Sequence, residues 1–332
     1  MPRLASILGL VLCLVSLARA QGERSLAYLE REIARLASLA GGRVGVGVVH
    51  IETGRRLALN GQERFPMAST YKVPIAIALL ERVDRGELRL EDMVPVDTVD
   101  VSPGSGTLAD LFQHPGVALS VRNLLELMML ISDNTATDIC LRLVGGPEAL
   151  RERLRQWGVA EGIRVDRPTK QLIADWLGLG DRIRARDWSL TYFRTLQERL
   201  DPEERRLAAA RFDADERDTA TPMAMAELLG RLFRGELLSP RSTALLLDIL
   251  HRCRTGENRL KGLLPAGTPV AHKTGTIGGT LNDVGILTLP DGAGHVAIAV
   301  FIKSSDRDTA SRERAIAEIA RAVYDYFLFV RP

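Results

Sequence analysis

Apolar positions recur at helical spacing near the start of the chain, alternate for a stretch, and then return to helical spacing through the middle. Over residues 25–40, Leu26, Leu29, Ile33, Leu36 and Ala40 share one stripe, which predicts an amphipathic helix that Gly41-Gly42 stops. Val44, Val46 and Val48 alternate with Gly45 and Gly47 and predict a strand, followed by a turn at Thr53-Gly54 and a second strand over 56–59. The far end mirrors this pattern. Residues 282–289 and 295–303 read as strands joined by Pro290-Asp291-Gly292, and Ile316, Ile319, Ala320, Val323 and Phe327 mark a last helix. Between the ends, residues 69–85, 120–131, 134–145, 147–156 and 222–235 read as helices.

This order predicts an α/β (α+β) fold of two lobes. An antiparallel sheet comes from both chain ends and carries flanking helices, and an all-helical domain is inserted between its halves. Residues 21–65 and 222–332 form the sheet lobe and residues 66–221 the helical lobe, with a ligand site expected in the crevice between them.

Composition changes the picture only at the start. Arg3, an apolar run over 7–17 and Ala18-Arg19-Ala20 have the layout of a cleaved export signal, so residues 1–20 are expected to be removed before Gln21. The run is too short to span a bilayer, which argues against a retained anchor. The 44 basic residues fall to 42 without Arg3 and Arg19, against 42 acidic ones. A neutral mature chain gives no reason to expect a nucleic-acid or anionic-membrane partner. The expected location is periplasmic or secreted. There an intramolecular Cys140–Cys253 bridge is permitted, and so are two buried thiols. The five histidines are scattered, so no metal or cofactor is assigned.

Three short motifs carry candidate chemistry. Ser69 stands at a predicted helix start with Lys72 one turn along. A serine hydroxyl needs a base to become a nucleophile, and a desolvated lysine near a second cation can serve. Helix-start N–H groups suit a developing oxyanion. Ser132-Asp133-Asn134 follows an apolar run; its serine could relay a proton and Asn134 could donate to an amide carbonyl. His272-Lys273-Thr274-Gly275-Thr276 sits where the C-terminal sheet begins. There a strand edge could pair with substrate backbone while Lys273, Thr274 and Thr276 bind a carboxylate, and Gly275 permits close approach. Taken singly, the motifs also read as an N-cap serine with a solvated lysine, a helix cap, and a strand with an exposed lysine.

In this order and spacing the motifs resemble those of class A β-lactamases and the related penicillin-binding D,D-peptidases. The likeness extends to residues 279–285 and 215–222 and covers nearly the whole mature chain. It implies a β-lactamase/transpeptidase-like fold, acylation of Ser69, Lys72 as proton partner, Ser132 as relay and Lys273 as carboxylate anchor. Arg259 looks like the family's second carboxylate-binding arginine, and Arg167 with Asp218 is expected to close the neck of an expanded omega loop over about 167–218. The partner is a small β-lactam or a peptidoglycan stem peptide, and the protein is expected to be a monomer.

The departures lie in that loop. Thr169 stands where the family has the glutamate that activates the hydrolytic water, and Ile173 where it has an asparagine. Val101 replaces an aromatic residue at the cleft edge. Between Leu172 and Asp215 the chain runs on where the family has a short segment. This stretch includes Trp176, Trp188, a helical stripe of Leu190, Phe193, Leu196 and Leu200, and a possible helix over 202–211. It is either a surface elaboration or a platform beside the site. Asp175, Asp181 and Asp187 could each replace the missing carboxylate. Three functions fit: a slow β-lactamase, a D,D-peptidase or related acyltransferase, and a non-enzymatic β-lactam sensor, the last disfavoured by Lys72 and Ser132.

Overall fold

The structure, a computed structural model, describes residues 26–112, 114–183 and 187–330; the expected leader lies outside them. Helix α1 (26–37) closes in a 3₁₀ turn capped by Gly41 in the left-handed region. Strands β1 (Arg43–His50), β2 (Arg56–Leu59) and the two-residue β3 (Phe65–Pro66) follow. A 3₁₀ turn over Ala68–Tyr71 leads into α2 (Lys72–Asp84). Next come β4 (Met93–Pro95), α3 (Leu108–Leu111), β5 (Ala118–Ser120), α4 (Val121–Leu130), α5 (Asn134–Val144) and α6 (Gly146–Gln156). The long loop holds α7 (Thr169–Leu177), α8 (Leu190–Glu198) and α9 (Pro202–Ala214), and β6 (Thr219–Ala220) pairs with β3. The chain ends with α10 (Pro222–Phe233), α11 (Pro240–His251), β7 (Val270–Ile277), β8 (Thr280–Thr288), β9 (His295–Lys303) and α12 (Thr309–Phe329).

The main sheet runs β2-β1-β9-β8-β7, all antiparallel, so the two chain ends meet at β1 and β9 with Val46 opposite Val300. Period-2 alternation divides it between two cores. Val44, Val46 and Val48 join Val296, Ile298, Val300 and Ile302 on the face covered by α1 and α12. Ala297, Ala299 and Phe301 face the other core, which runs on into the central helices. Gly47 is needed there, because a Cβ would lie 2.3 Å from the Pro222 carbonyl at the start of α10. The layout is that expected from the sequence, with α3, α7, α11 and the short strands added. Periodicity missed α11 because its stripe is brief, and Pro240 at its start supplies the helix-start signal instead. Cys140 and Cys253 are buried free thiols.

The long loop is folded. Ala174, Leu177, Leu179, Trp188 and Phe193 make a third, smaller core of their own. Its neck is closed by Arg167, whose Nε donates to Asp218 Oδ2 at 2.5 Å, with side chains 2% and 1% exposed. Asp218 also accepts from the backbone N–H groups of Asp166 and Arg167, and Arg167 reaches Asp175 at 2.6 Å and Asp215 at 3.2 Å. Breaking such a buried pair from one side strands the other charge, at about 3–5 kcal/mol. Arg167→Ala is therefore expected to lower the unfolding free energy by that amount in urea titrations, and adding Asp218→Ala to recover part of it. A loss under about 1 kcal/mol would show that the neck contributes little.

Candidate active site

Ser69 sits in the 3₁₀ turn ahead of α2, preceded by Ala68 at φ 45°, a left-handed conformation costly for a side chain. Two contacts hold that turn. Asn282 donates from Nδ2 to the carbonyls of Pro66 (2.9 Å) and Met67 (3.0 Å). Gly275, on edge strand β7, lies so close that a Cβ would be 2.6 Å from Met67 O and 3.0 Å from the Ser69 nitrogen. The free edge of the sheet is thus pressed against the backbone of the candidate nucleophile.

Lys72 is fully buried, and its Nζ donates to Ser132 O (2.7 Å), Ser132 Oγ (3.0 Å) and Asn134 Oδ1 (2.8 Å). Lys273 Nζ comes from the other lobe to the same Ser132 Oγ at 3.0 Å and also donates to Thr274 O. The three motifs therefore converge on one hydroxyl. Burial first, and then the charge of Lys273, holds the Lys72 ammonium well below the usual lysine range. Burial pushes Lys273 down to about 8. Ser132 takes φ 61°, which turns both its carbonyl and its hydroxyl onto Lys72. Asp133 is the helix cap of the tripeptide. It accepts from Ala136 N, and its other oxygen clamps Thr107 N and Leu108 N. Asn134 spends one amide proton on Pro103 O, which leaves one for a ligand.

Arg259 lies behind β7. It donates to Thr276 Oγ1 (2.9 Å) and to the carbonyls of Gly275 and Asn282, and Glu313 holds it from the far side. Thr276 thus faces the cleft backed by a cation. The Thr274 hydroxyl is committed to Thr255 Oγ1 at 2.6 Å.

A cavity of about 350 Å³ opens beside Ser69, Asn134 and Thr276. Lys72, Ser132, Lys273 and Thr274 adjoin it without lining it. Its far end is built by the long loop, through Ile173, Trp176, Leu177, Phe193 and Gln197, so that loop is a wall of the site. Among the described residues, none that lines it is charged. Asp175 is held by Arg167, Asp175 and Asp181 line a different cavity, and Asp187 is on the surface. Thr169 begins α7 with its hydroxyl hydrogen-bonded to the Tyr71 phenol and its N–H donating to Asp138 Oδ1 at 2.6 Å. Burial, then the charge of Asp138, raises Tyr71 well above its ordinary value, and burial raises Asp138. Neither Tyr71 nor Asp138 stood out in the sequence, although Tyr71 lies between Ser69 and Lys72 and Asp138 is one helical turn beyond Asn134.

Comparison with known proteins agrees with this geometry. The model of the β-lactamase enzyme family matches residues 28–327. The extended-spectrum β-lactamase PER-1 of Pseudomonas aeruginosa is 32% identical over 86% of this chain and 82% of its own. The crystal structure of TLA-1 extended-spectrum β-lactamase superposes with a TM-score of 0.76 at 30% identity, over 92% of this chain and 99% of that one. An ancestral class A β-lactamase gives 0.72 at 35% identity, over 90% and 99%. A match of that extent, on a fold whose three motifs meet at one serine hydroxyl, places this chain in the β-lactamase enzyme family, among the class A enzymes.

Proposed function

We propose that the protein is an exported serine β-lactamase whose acyl-enzyme breaks down slowly. The observation that carries the reading is the Lys72–Ser132–Lys273 cluster beside Ser69. The Ser69 hydroxyl attacks the lactam carbonyl while neutral Lys72 takes its proton. The Ser69 N–H and the β7 edge steady the oxyanion. Ser132 then delivers a proton to the lactam nitrogen as the C–N bond breaks and receives one from Lys72. Lys273 and Thr276, backed by Arg259, hold the substrate carboxylate, and the free Asn134 proton meets the amide carbonyl. Hydrolysis of the Ser69 ester needs a water and a base, and among the described residues no carboxylate lines the cavity to provide one. The leader pattern supports a periplasmic or secreted site of action. A D-Ala-D-Ala acyltransferase is the second reading. It is favoured by the Thr169–Tyr71 pair, which stands where a hydrolytic base is expected.

The acylation half rests on Lys72. Lys72→Ala is expected to slow labelling of Ser69 by a fluorescent penicillin about 10²-fold or more while circular dichroism is unchanged. A lysine depressed by burial is neutral, and able to accept a proton, above its own pKa. Acylation should therefore persist below the pH at which an ordinary lysine protonates, and fall about tenfold per pH unit once Lys72 is mostly protonated. Labelling at an unchanged rate, or a flat acid limb, would assign the proton to another group.

Loss of a general base costs about 10²–10⁴-fold, so deacylation is expected to limit turnover. Intact-protein mass spectrometry should show a Ser69 adduct accumulating with a penicillin, with a burst of product followed by slow turnover. Rapid turnover with no adduct would sink the slow-deacylation reading. Transfer to an added D-amino acid in preference to water would favour the second reading.

A further inference from the structure

His272 opens the third motif and has no part in the reaction above. It alternates with Lys273 and so points, like Val270, into the core beneath α1 and α12. There its Nδ1 meets both oxygens of Asp283 on β8 at 2.9 Å, and both side chains are fully buried. Asp283 Oδ2 also accepts from the backbone N–H of Leu260 at 3.2 Å. The ring Nε2 is buried and has no partner among the described residues, so a proton there would be an orphan donor. The proton therefore sits on Nδ1, between ring and carboxylate, and the pair carries one negative charge inside an apolar core. Each end of this pair adjoins a cation of the site. His272 precedes Lys273, and Leu260, which Asp283 holds, follows Arg259. Arg259 itself returns to β8 through the carbonyl of Asn282, the neighbour of Asp283.

From this placement we infer that Asp283, fixed by His272, is the counter-charge and positioning residue that keeps Lys273 and Arg259 competent to bind a substrate carboxylate. The inference rests on the β-lactam reading above and adds the residues that support its carboxylate site. The titratable groups around Lys273 are Lys72 from the helical lobe, Cys253, Arg259 and Asp283. Glu313 holds Arg259 from the far side, and His251 of α11 is within electrostatic reach of His272. Burial and Arg259 favour the neutral lysine, whereas Cys253 and Asp283 favour the ammonium. A thiol has no charge until it loses its proton, which leaves Asp283 as the standing anion of this set. With Lys273 at about 8, its ammonium anchors a carboxylate below that pH and is lost above it. Without the charge of Asp283, the limit moves to lower pH.

The test pairs benzylpenicillin with its methyl ester, which share nucleus and substituent and differ only at the carboxylate. The second-order rate of adduct formation on the purified protein is followed by intact mass, across the pH range where Lys273 titrates. The acid-to-ester ratio cancels any change in the acylation steps that both probes share. In the wild-type protein the acid should lead by about tenfold or more at the acid end of that range. Asp283→Asn keeps the shape of the pair and an acceptor for His272. There the ratio should fall about tenfold near pH 8, and its basic limb should move to lower pH. His272→Asn, whose amide can still donate to the carboxylate, should keep the wild-type ratio and limb. Should Asp283→Asn not fold, the double variant His272→Leu with Asp283→Leu removes the charge by apolar replacement and carries the same expectation. Acid and ester rates falling together, or a ratio unmoved in the variants that remove the charge, would overturn this inference and leave the β-lactam reading intact. No adduct with either probe on the wild-type protein would overturn that reading itself.

Discussion

Two lysine ammonium groups, each fully buried, share one serine hydroxyl, and much of the fold exists to make that arrangement tolerable. Burying a charge costs several kcal/mol unless dipoles or counter-charges replace its water. Here the dipoles are the Ser132 and Thr274 carbonyls and the Asn134 amide oxygen, fixed by elements from both lobes. Asp133 and Asp138 oppose the desolvation of Lys72, and Asp283 that of Lys273, without touching either. A carboxylate in direct contact would satisfy Lys72 fully and leave it protonated. The cluster is instead satisfied for structure and under-compensated in charge, the condition in which a buried lysine gives up its proton more readily than an exposed one.

The same reasoning explains where strain is stored. Ala68 and Ser132 both take left-handed backbone conformations that their side chains disfavour, and both lie beside the cluster. Each is over-determined by its surroundings: Ala68 by the Asn282 and Gly275 contacts on its turn, Ser132 by the Asp133 clamp that follows it. Neither can relax without moving an element that other packing holds.

The sequence made the scaffold legible because both periodicities are clean. Val44, Val46 and Val48 announce a strand, the central helices carry regular stripes, and the three motifs fall at element boundaries where their chemistry can be used. Arg167 and Asp218 could be paired only through a resemblance, since loop closure over such a distance leaves no local signal. The loop between them was ambiguous for a physical reason. The apolar residues of α7 and α8 serve both a small private core and the cleft, so Trp176 and Phe193 look like ordinary core positions. Tyr71 and Asp138 escaped notice because their importance comes from what they meet across the fold.

The private core of that loop has a consequence for how the molecule comes apart. Its apolar cluster is separate from the two that surround the sheet, and it is joined to them by polar and edge contacts, among them the buried Arg167–Asp218 pair, the Thr169 bonds to Tyr71 and Asp138, and the indoles of Trp176 and Trp188. A region with an apolar core of its own forms its own cooperative unit and opens below the free energy of global unfolding. Ser69, Lys72 and Ser132 belong to turns and helices seated on the larger core and stay in register while it does so. Amide hydrogens of residues 169–214 should exchange with solvent ahead of those in β8 and β9. The reactive groups and one wall of the cavity beside them thus melt as separate pieces of one chain.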